Sequence, residues 1–249
     1  MLDTIDIQYF SSLDSTNAYC ERLHPRELSE FTVVQAGFQT AGVGQQGNCW
    51  ESEPDKNLTF SVVLHPYFML PAHQFLLTQA LSLAVVDALW SLGCDKEKVR
   101  IKWPNDIYID NQKVCGILTL NHFSSDAISS SVCGIGLNVN QTSFPDWLPN
   151  PVSLSQHLGG EVNMRLVLLR LLHAMENRYA QLRIADRVGI EESYMLLLYR
   201  KGVMSHYRYK GIHIQASIVG TDKYGRLMLC EHDGTTIVAN LREIVFEQC

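Results

Sequence analysis

Lys102, Asn105, Asp106 and Lys113 lie close together in this chain. A carboxylate, an amide and two ammonium groups are the kind of set that holds phosphates and a metal ion. They stand in Arg100-Ile101-Lys102-Trp103-Pro104-Asn105-Asp106-Ile107-Tyr108 and, further on, in Lys113-Val114-Cys115-Gly116-Ile117-Leu118. Apolar residues alternate on both sides of Asp110-Asn111, which predicts two strands joined by a tight turn and broken at Pro104. Spacing alone leaves the roles open. Asn105 and Asp106 both suit an ordinary turn, and a lysine between two strand segments is more often a solvated edge residue. If Lys113 points inward, it supplies a compact charge able to bridge a carboxylate and a phosphate.

Three other stretches offer polar groups or room. Ser15-Thr16-Asn17 precedes a helical run at 18–23, where such side chains accept from orphan N–H groups, so a helix cap is the simplest reading. Residues 39–50 form a loop with Gly42, Gly44 and Gly47, suited to unusual backbone shapes or to close approach of a ligand, and ending at Trp50. A tryptophan in this setting is more often a core or rim residue than a ligand wall. Residues 130–139 read as a strand in which Gly134 and Gly136 face the same side. Two missing side chains there leave room for something flat against a sheet.

The elements that must position these residues follow from periodicity. Strands are expected at 5–10, 32–36 and 58–65. Pro71 opens a long helix to residue 92 with Gly93 just beyond its end. That helix is apolar nearly all round and should be covered on both sides. Residues 141–160 read as loop, and 165–183 and 190–199 as helices. After Lys201-Gly202 the character changes to short strands at 212–219, 226–230, 235–239 and 244–246, with turns at 222–225 and 232–234. The expected division is residues 1–203 and a small all-β unit at 204–249.

Composition narrows the class. The 249 residues are 46% hydrophobic and 18% charged, a normal globular balance. A net charge of -6 argues against a protein that coats nucleic acid and leaves a local basic pocket open. The seven cysteines include no Cys-x-x-Cys pair, and their odd number fits reduced thiols in a cytoplasmic protein. The nine histidines show no metal spacing. The N-terminus has neither the basic nor the apolar region of a signal peptide. The apolar run at 75–92 is interrupted and short for a bilayer, so no membrane partner is expected.

In order along the chain, Ser15-Thr16-Asn17, the loop Gln39-Thr40-Ala41-Gly42-x-Gly44-x-x-Gly47-x-x-Trp50, Lys102-Trp103-Pro104-Asn105-Asp106, Lys113-x-x-Gly116-Ile117-Leu118 and Gly134-Ile135-Gly136-Leu137-Asn138-Val139-Asn140 resemble the motif series of biotin protein ligases. The likeness spans almost the whole chain. It implies an α+β fold: a mixed sheet with helices, related to class II aminoacyl-tRNA synthetases, plus a C-terminal SH3-like β-barrel. It also implies two reactions. Biotin and magnesium-ATP give biotinyl-5′-AMP and pyrophosphate, and the acyl group then passes to a lysine of a biotin carboxyl carrier domain of a carboxylase. By the same resemblance Ser15, Thr16, Asn17 and Gln39 face the ureido head of biotin. Trp50, Gly42 and Ile117 shape walls, Gly116 lets backbone approach the carboxylate, and Gly134 and Gly136 give the ligand room. Lys113 would touch the biotin carboxylate and the α-phosphate together. Gly44, Gln45, Lys102, Asn105, Asp106 and Asn138 would lie on the ATP and magnesium side, the magnesium shell itself being undetermined. Asp106 is the expected acceptor of the proton from the incoming lysine. Some members carry an N-terminal DNA-binding module; Ser15 arrives too early for one here, so no DNA partner is expected. An exposed sheet edge would leave room for a homodimer.

The chain departs from the family in the glycine loop, which usually carries arginines among its glycines. Here those places hold Val43, Gln45, Gln46 and Asn48. Neutral amides bond phosphate about half as strongly as guanidinium groups. The expectation is weaker retention of the adenylate, or recruitment of basic residues from elsewhere such as Lys102. Two other readings compete: a lipoate or octanoate ligase or transferase on the same fold, and a non-catalytic protein that binds biotin or biotinyl-AMP.

Overall fold

Side-chain alternation along β-branched and glycine-bearing runs builds the frame on which the site rests. In the computed structural model, which describes residues 6–247, seven strands form one mixed sheet: β1 (Ile7–Phe10), β2 (Val33–Ala36), β3 (Leu58–Leu64), β4 (Val99–Lys102), β5 (Asp106–Ile109), β6 (Gln112–Phe123) and β7 (Ile128–Leu137). Their order is β1-β2-β3-β7-β6-β5-β4. β1 and β2 run parallel, and the remaining neighbours are antiparallel. Ile5, expected in the first strand, lies outside the described residues.

The two faces of this sheet differ in kind. On β3, Leu58, Phe60, Val62 and Leu64 join the main apolar core, while the alternate positions Thr59 and Ser61 turn small polar groups to the other face. On β7, Cys133, Ile135 and Leu137 enter the core, and Gly134 and Gly136 occupy the opposite face. Gly116 of β6 pairs directly with Gly136. One face is therefore packed with large side chains, and the other is bare at its centre.

The packed face is covered by α2 (Gln74–Ser91), and α4 (Met164–Arg183) and α5 (Arg187–Leu196) pack against α2. Pro71 opens a 3-10 turn at Pro71–His73 that leads into α2, and Gly93 takes φ +96° just past its end. The stretch Pro71–Ser91 is long and apolar enough to cross a membrane by length and composition, longer than the sequence reading allowed, but most of it is buried inside the protein. The other face carries α1 (Thr16–Arg22), seated through Cys20 on Val34, Val63 and Val132. Ser15 is its N-cap and accepts from the Ala18 N–H.

Three expectations need correction. Residues 100–108 are not one interrupted strand. The chain reverses at Trp103-Pro104-Asn105, and β4 and β5 pair antiparallel, with Lys102 opposite Asp106. The region 141–160, expected as loop, contains the short helix α3 (Leu154–Leu158), started by a capping box between Ser153 and Gln156. The C-terminal sheet has one strand more than expected, β8 (Met204–Tyr209), alongside β9 (Ile212–Thr221), β10 (Leu227–Glu231), β11 (Thr236–Ala239) and β12 (Ile244–Phe246). Its five antiparallel strands run β11-β10-β9-β8-β12. β8 hides in sequence because its buried positions are Ser205 and Tyr207, not aliphatic residues.

Candidate active site

The bare face of the first sheet is one wall of a cleft of about 380 Å³. Its polar end is built by α1 and the loop before β3. The Thr16 backbone N–H donates to Gln39 Oε1 at 2.7 Å, and the Thr16 hydroxyl lies 3.2 Å from the same oxygen. Asn17 Nδ2 donates to the Leu118 carbonyl at 3.2 Å. Ser61 sits beneath both, its Oγ 2.7 Å from Thr16 Oγ1 and 2.6 Å from Asn17 Oδ1. One hydroxyl proton serves these two acceptors in turn. Ser15, Thr16 and Asn17 are all buried, so the cap of α1 also forms a fixed polar end to the cleft.

The glycine floor is occupied, contrary to the expectation of free space. A Cβ on Gly136 would lie 2.3 Å from Trp50 Cε2, and one on Gly134 would lie 2.4 Å from Asn17 Oδ1. The flat group against the sheet is the Trp50 indole itself, which also reaches over Gly116. Its Nε1 is buried without a hydrogen-bond partner among the described residues. Trp50 is held there by the loop: its N–H donates to the Gly42 carbonyl at 3.0 Å, and Val43 bridges to Cys49. Gly42 does not line the cleft; a side chain there would strike the Trp50 carbonyl at 2.6 Å. Its role is to let the loop fold back.

Lys113 and Asp106 meet across the β5–β6 hairpin at 2.7 Å, both about one-third exposed. The Lys113 ammonium also lies 5.8 Å from the centre of the Trp50 ring. The Lys113 backbone is fixed on its outer side: its N–H donates to the Asn150 carbonyl at 2.7 Å, and its carbonyl accepts from Val152 N at 3.0 Å. Asn138 ties the same segments together, its Nδ2 lying 3.1 Å from the Val152 carbonyl and 3.5 Å from that of Lys113. Asn105 donates from Nδ2 to the Ile117 carbonyl. Neither Asn105 nor Asn138 lines the cleft. Both are buried and engaged with backbone, so they position the hairpin where the sequence reading placed them on the adenylate side.

Lys102 lines the cleft from β4. Its Nζ bonds the Tyr108 hydroxyl at 3.1 Å and stands 5.2 Å from the Tyr108 ring centre and 5.0 Å from that of Phe246. Burial pushes the Lys102 ammonium below the ordinary lysine value; Asp106 opposes this, and the charges of Lys113 and Arg200 add to it. Gly44, Gln45, Gly116, Ile117, Gly134 and Gly136 all line the cleft as expected.

Two contributions escaped the sequence reading. Ser61 lies in an otherwise apolar strand, and only its alternation with core residues marks its face. The second comes from the C-terminal sheet: Leu241, Arg242, Ile244 and Phe246 close one side of the cleft. Nothing in the local pattern of the β11–β12 turn signals this. Among the described residues, no cluster of three or more His, Cys, Asp or Glu side chains is placed to hold a metal ion.

Residues 9–138 match the Biotin/lipoate A/B protein ligase family. Over 235 residues the chain is 32% identical to the bifunctional ligase/repressor BirA of Bacillus subtilis, covering 91% of this chain and 70% of that protein. It is 31% identical over 233 residues to the biotin--[acetyl-CoA-carboxylase] ligase of Paracoccus denitrificans, covering 90% of this chain and 94% of that one. The solved structure of the Aquifex aeolicus biotin protein ligase in complex with biotin and ATP has the same fold, with a TM-score of 0.80 at 24% identity over 98% of this chain and 99% of that one. The chain belongs to the biotin/lipoate A/B protein ligase family, among its biotin protein ligases.

Proposed function

We propose that this chain is an ATP-dependent ligase that activates biotin as biotinyl-5′-AMP and transfers it to a lysine of a biotin carboxyl carrier domain. The observation that carries the reading is the Lys113–Asp106 pair, set between the polar end of the cleft and its charged, more exposed side. The ureido group of biotin has one acceptor and two donors, and Ser15, Thr16, Asn17 and Gln39 offer matching groups on the cleft wall, with Ser61 holding Thr16 and Asn17 from beneath. That polar end also argues against a lipoyl or octanoyl chain, which needs a long apolar channel.

In the first step a carboxylate oxygen of biotin attacks the α-phosphorus of ATP. A mixed anhydride forms, the bond to the β-phosphate oxygen breaks, and pyrophosphate leaves. Two anions must approach, so positive charge at the junction lowers the barrier. Lys113 is the proposed source. In the second step the neutral amine of the acceptor lysine attacks the acyl carbon, the amide forms, and AMP leaves. Asp106, 2.7 Å from Lys113, is the proposed acceptor for the proton released.

Magnesium typically binds through one or two carboxylates plus the substrate phosphates. Asp106 is the one carboxylate among the described residues lining the cleft, which suits an ion carried in mainly by ATP. Such an ion would offset phosphate charge. Unpaired buried thiols such as Cys20, Cys115 and Cys133 support a reducing, cytoplasmic setting.

The test is biotin-dependent ATP–pyrophosphate exchange followed by transfer of labelled biotin to a carboxylase carrier domain. Both activities are expected, and lipoate should not replace biotin. Exchange driven by lipoate, or binding of biotin without exchange, would overturn the reading.

A further inference from the structure

We infer that Arg242, on the turn between β11 and β12, binds the β- and γ-phosphates of ATP and holds the departing pyrophosphate. The inference rests on the ligase reading above and adds a residue from the C-terminal sheet to the ATP site.

The triphosphate is a polyanion, and this chain carries a net charge of -6, so local cations must receive it. Among the described residues three cations line the cleft: Lys102, Lys113 and Arg242. Lys113 is already bonded to Asp106 at 2.7 Å. Lys102 is enclosed by Tyr108 and Phe246, and burial weakens its hold on its proton. The glycine loop at residues 42–48 contributes no cation. Arg242 is exposed and, among the described residues, has no hydrogen-bond or ion-pair partner. Among the described residues it is the free cation of the cleft.

The turn that carries it is fixed. The Glu243 N–H donates to the Asn240 carbonyl at 2.9 Å, and the Glu243 carboxylate accepts from the Asn240 N–H at 2.8 Å. The same carboxylate pairs with Lys210 at 3.2 Å. The nearest acid in sequence is thus spoken for, and Arg242 keeps its full charge for a ligand. Its neighbours Leu241 and Ile244 also line the cleft, which orients the turn toward the cavity.

Position selects the phosphates. Lys113 lies against Gly116 and the Trp50 ring, where the carboxylate of biotin and the α-phosphate would meet. Arg242 stands exposed at the rim, where the more hydrated end of the triphosphate would remain. A guanidinium can grip two phosphate oxygens at once.

Biotin-dependent exchange and single-turnover transfer test this in the full chain. Arg242→Ala should raise the KM for ATP by roughly 10-fold or more and weaken pyrophosphate as an inhibitor in parallel, as loss of a charge-assisted contact predicts. The KM for biotin should stay within about 2-fold, and Arg242→Lys should recover part of the loss, since it restores charge without the fork. Transfer from preformed biotinyl-5′-AMP, which has no β- or γ-phosphate, should lose much less than exchange does. An unchanged KM for ATP, or equal losses for ATP, biotin and transfer, would overturn the inference. A wild-type protein with no biotin-dependent exchange would instead overturn the ligase reading on which it rests.

Discussion

At the scale of single residues, Lys113 and Ser61 show what two kinds of group contribute. Lys113 supplies charge where two anions must meet. Replacing it with alanine should cut biotinyl-AMP formation by about 10²–10³-fold or more, the range seen when one preorganised transition-state contact is lost. Pyrophosphate exchange measures this directly, and a near-normal rate would remove Lys113 from the chemistry. Ser61 supplies a donor beneath Thr16 and Asn17. Ser61→Ala leaves buried acceptors without that proton, at a cost of roughly 1–2 kcal/mol. Biotin binding measured by calorimetry should weaken about 10-fold, by the usual conversion of energy to affinity, with the KM for ATP unmoved. The polar cap at Ser15-Thr16-Asn17 and the Asp106–Lys113 pair were legible in the sequence because they stand in motifs with fixed spacing. Ser61 was not, because a serine in an apolar strand reads as a weak core position until the neighbouring strands show what it faces.

At the scale of elements, the loop at 39–50 and the β4–β5–β6 ribbon divide the work. The ribbon is cross-tied: Asn105 holds the Ile117 carbonyl, and Asn138 ties Lys113 to the Val152 segment. Both asparagines carry motif spacing, yet they act on backbone, which spacing alone does not reveal. The turn at Asp110-Asn111 appears as expected, with Asp110 at φ +54°. The second reversal, at Trp103-Pro104-Asn105, was hidden because alternation continues across it. The loop is different in kind. It places Trp50 over the glycine floor, and it brings the neutral amides Gln45 and Asn48 to the cleft. Gln45→Arg should therefore slow the escape of biotinyl-AMP into solvent. Trapping released adenylate after a single turnover with and without the substitution tests this. Equal escape from both proteins would take the loop out of adenylate retention.

At the scale of the whole molecule, the two sheets share one apolar core. Residues of the C-terminal sheet, including Tyr207, Ile218, Leu227 and Leu229, belong to the same buried cluster as α2, α4 and the first sheet. The change of pattern after Lys201-Gly202 marks where one sheet gives way to the other, and pattern carries no information about how much surface they bury together. Specific contacts cross the junction. Trp103, beside the site, donates from Nε1 to the Gly225 carbonyl at 2.8 Å, and Phe75 of α2 packs where a Gly225 side chain would stand. Such continuity predicts that the sheets unfold together, so that Arg242 and Phe246 stay in register with Lys102 until the whole chain melts. Trp103→Phe keeps most of the packing but leaves the buried Gly225 carbonyl without its donor. A cost of about 1–3 kcal/mol is expected, which lowers Tm by roughly 2–12 °C for a chain of this size. The transition should remain single, with far-UV and near-UV circular dichroism coinciding. If the variant instead shows an early transition confined to the C-terminal strands, the shared core is not cooperative, and the ATP side of the cleft would open without loss of the first sheet.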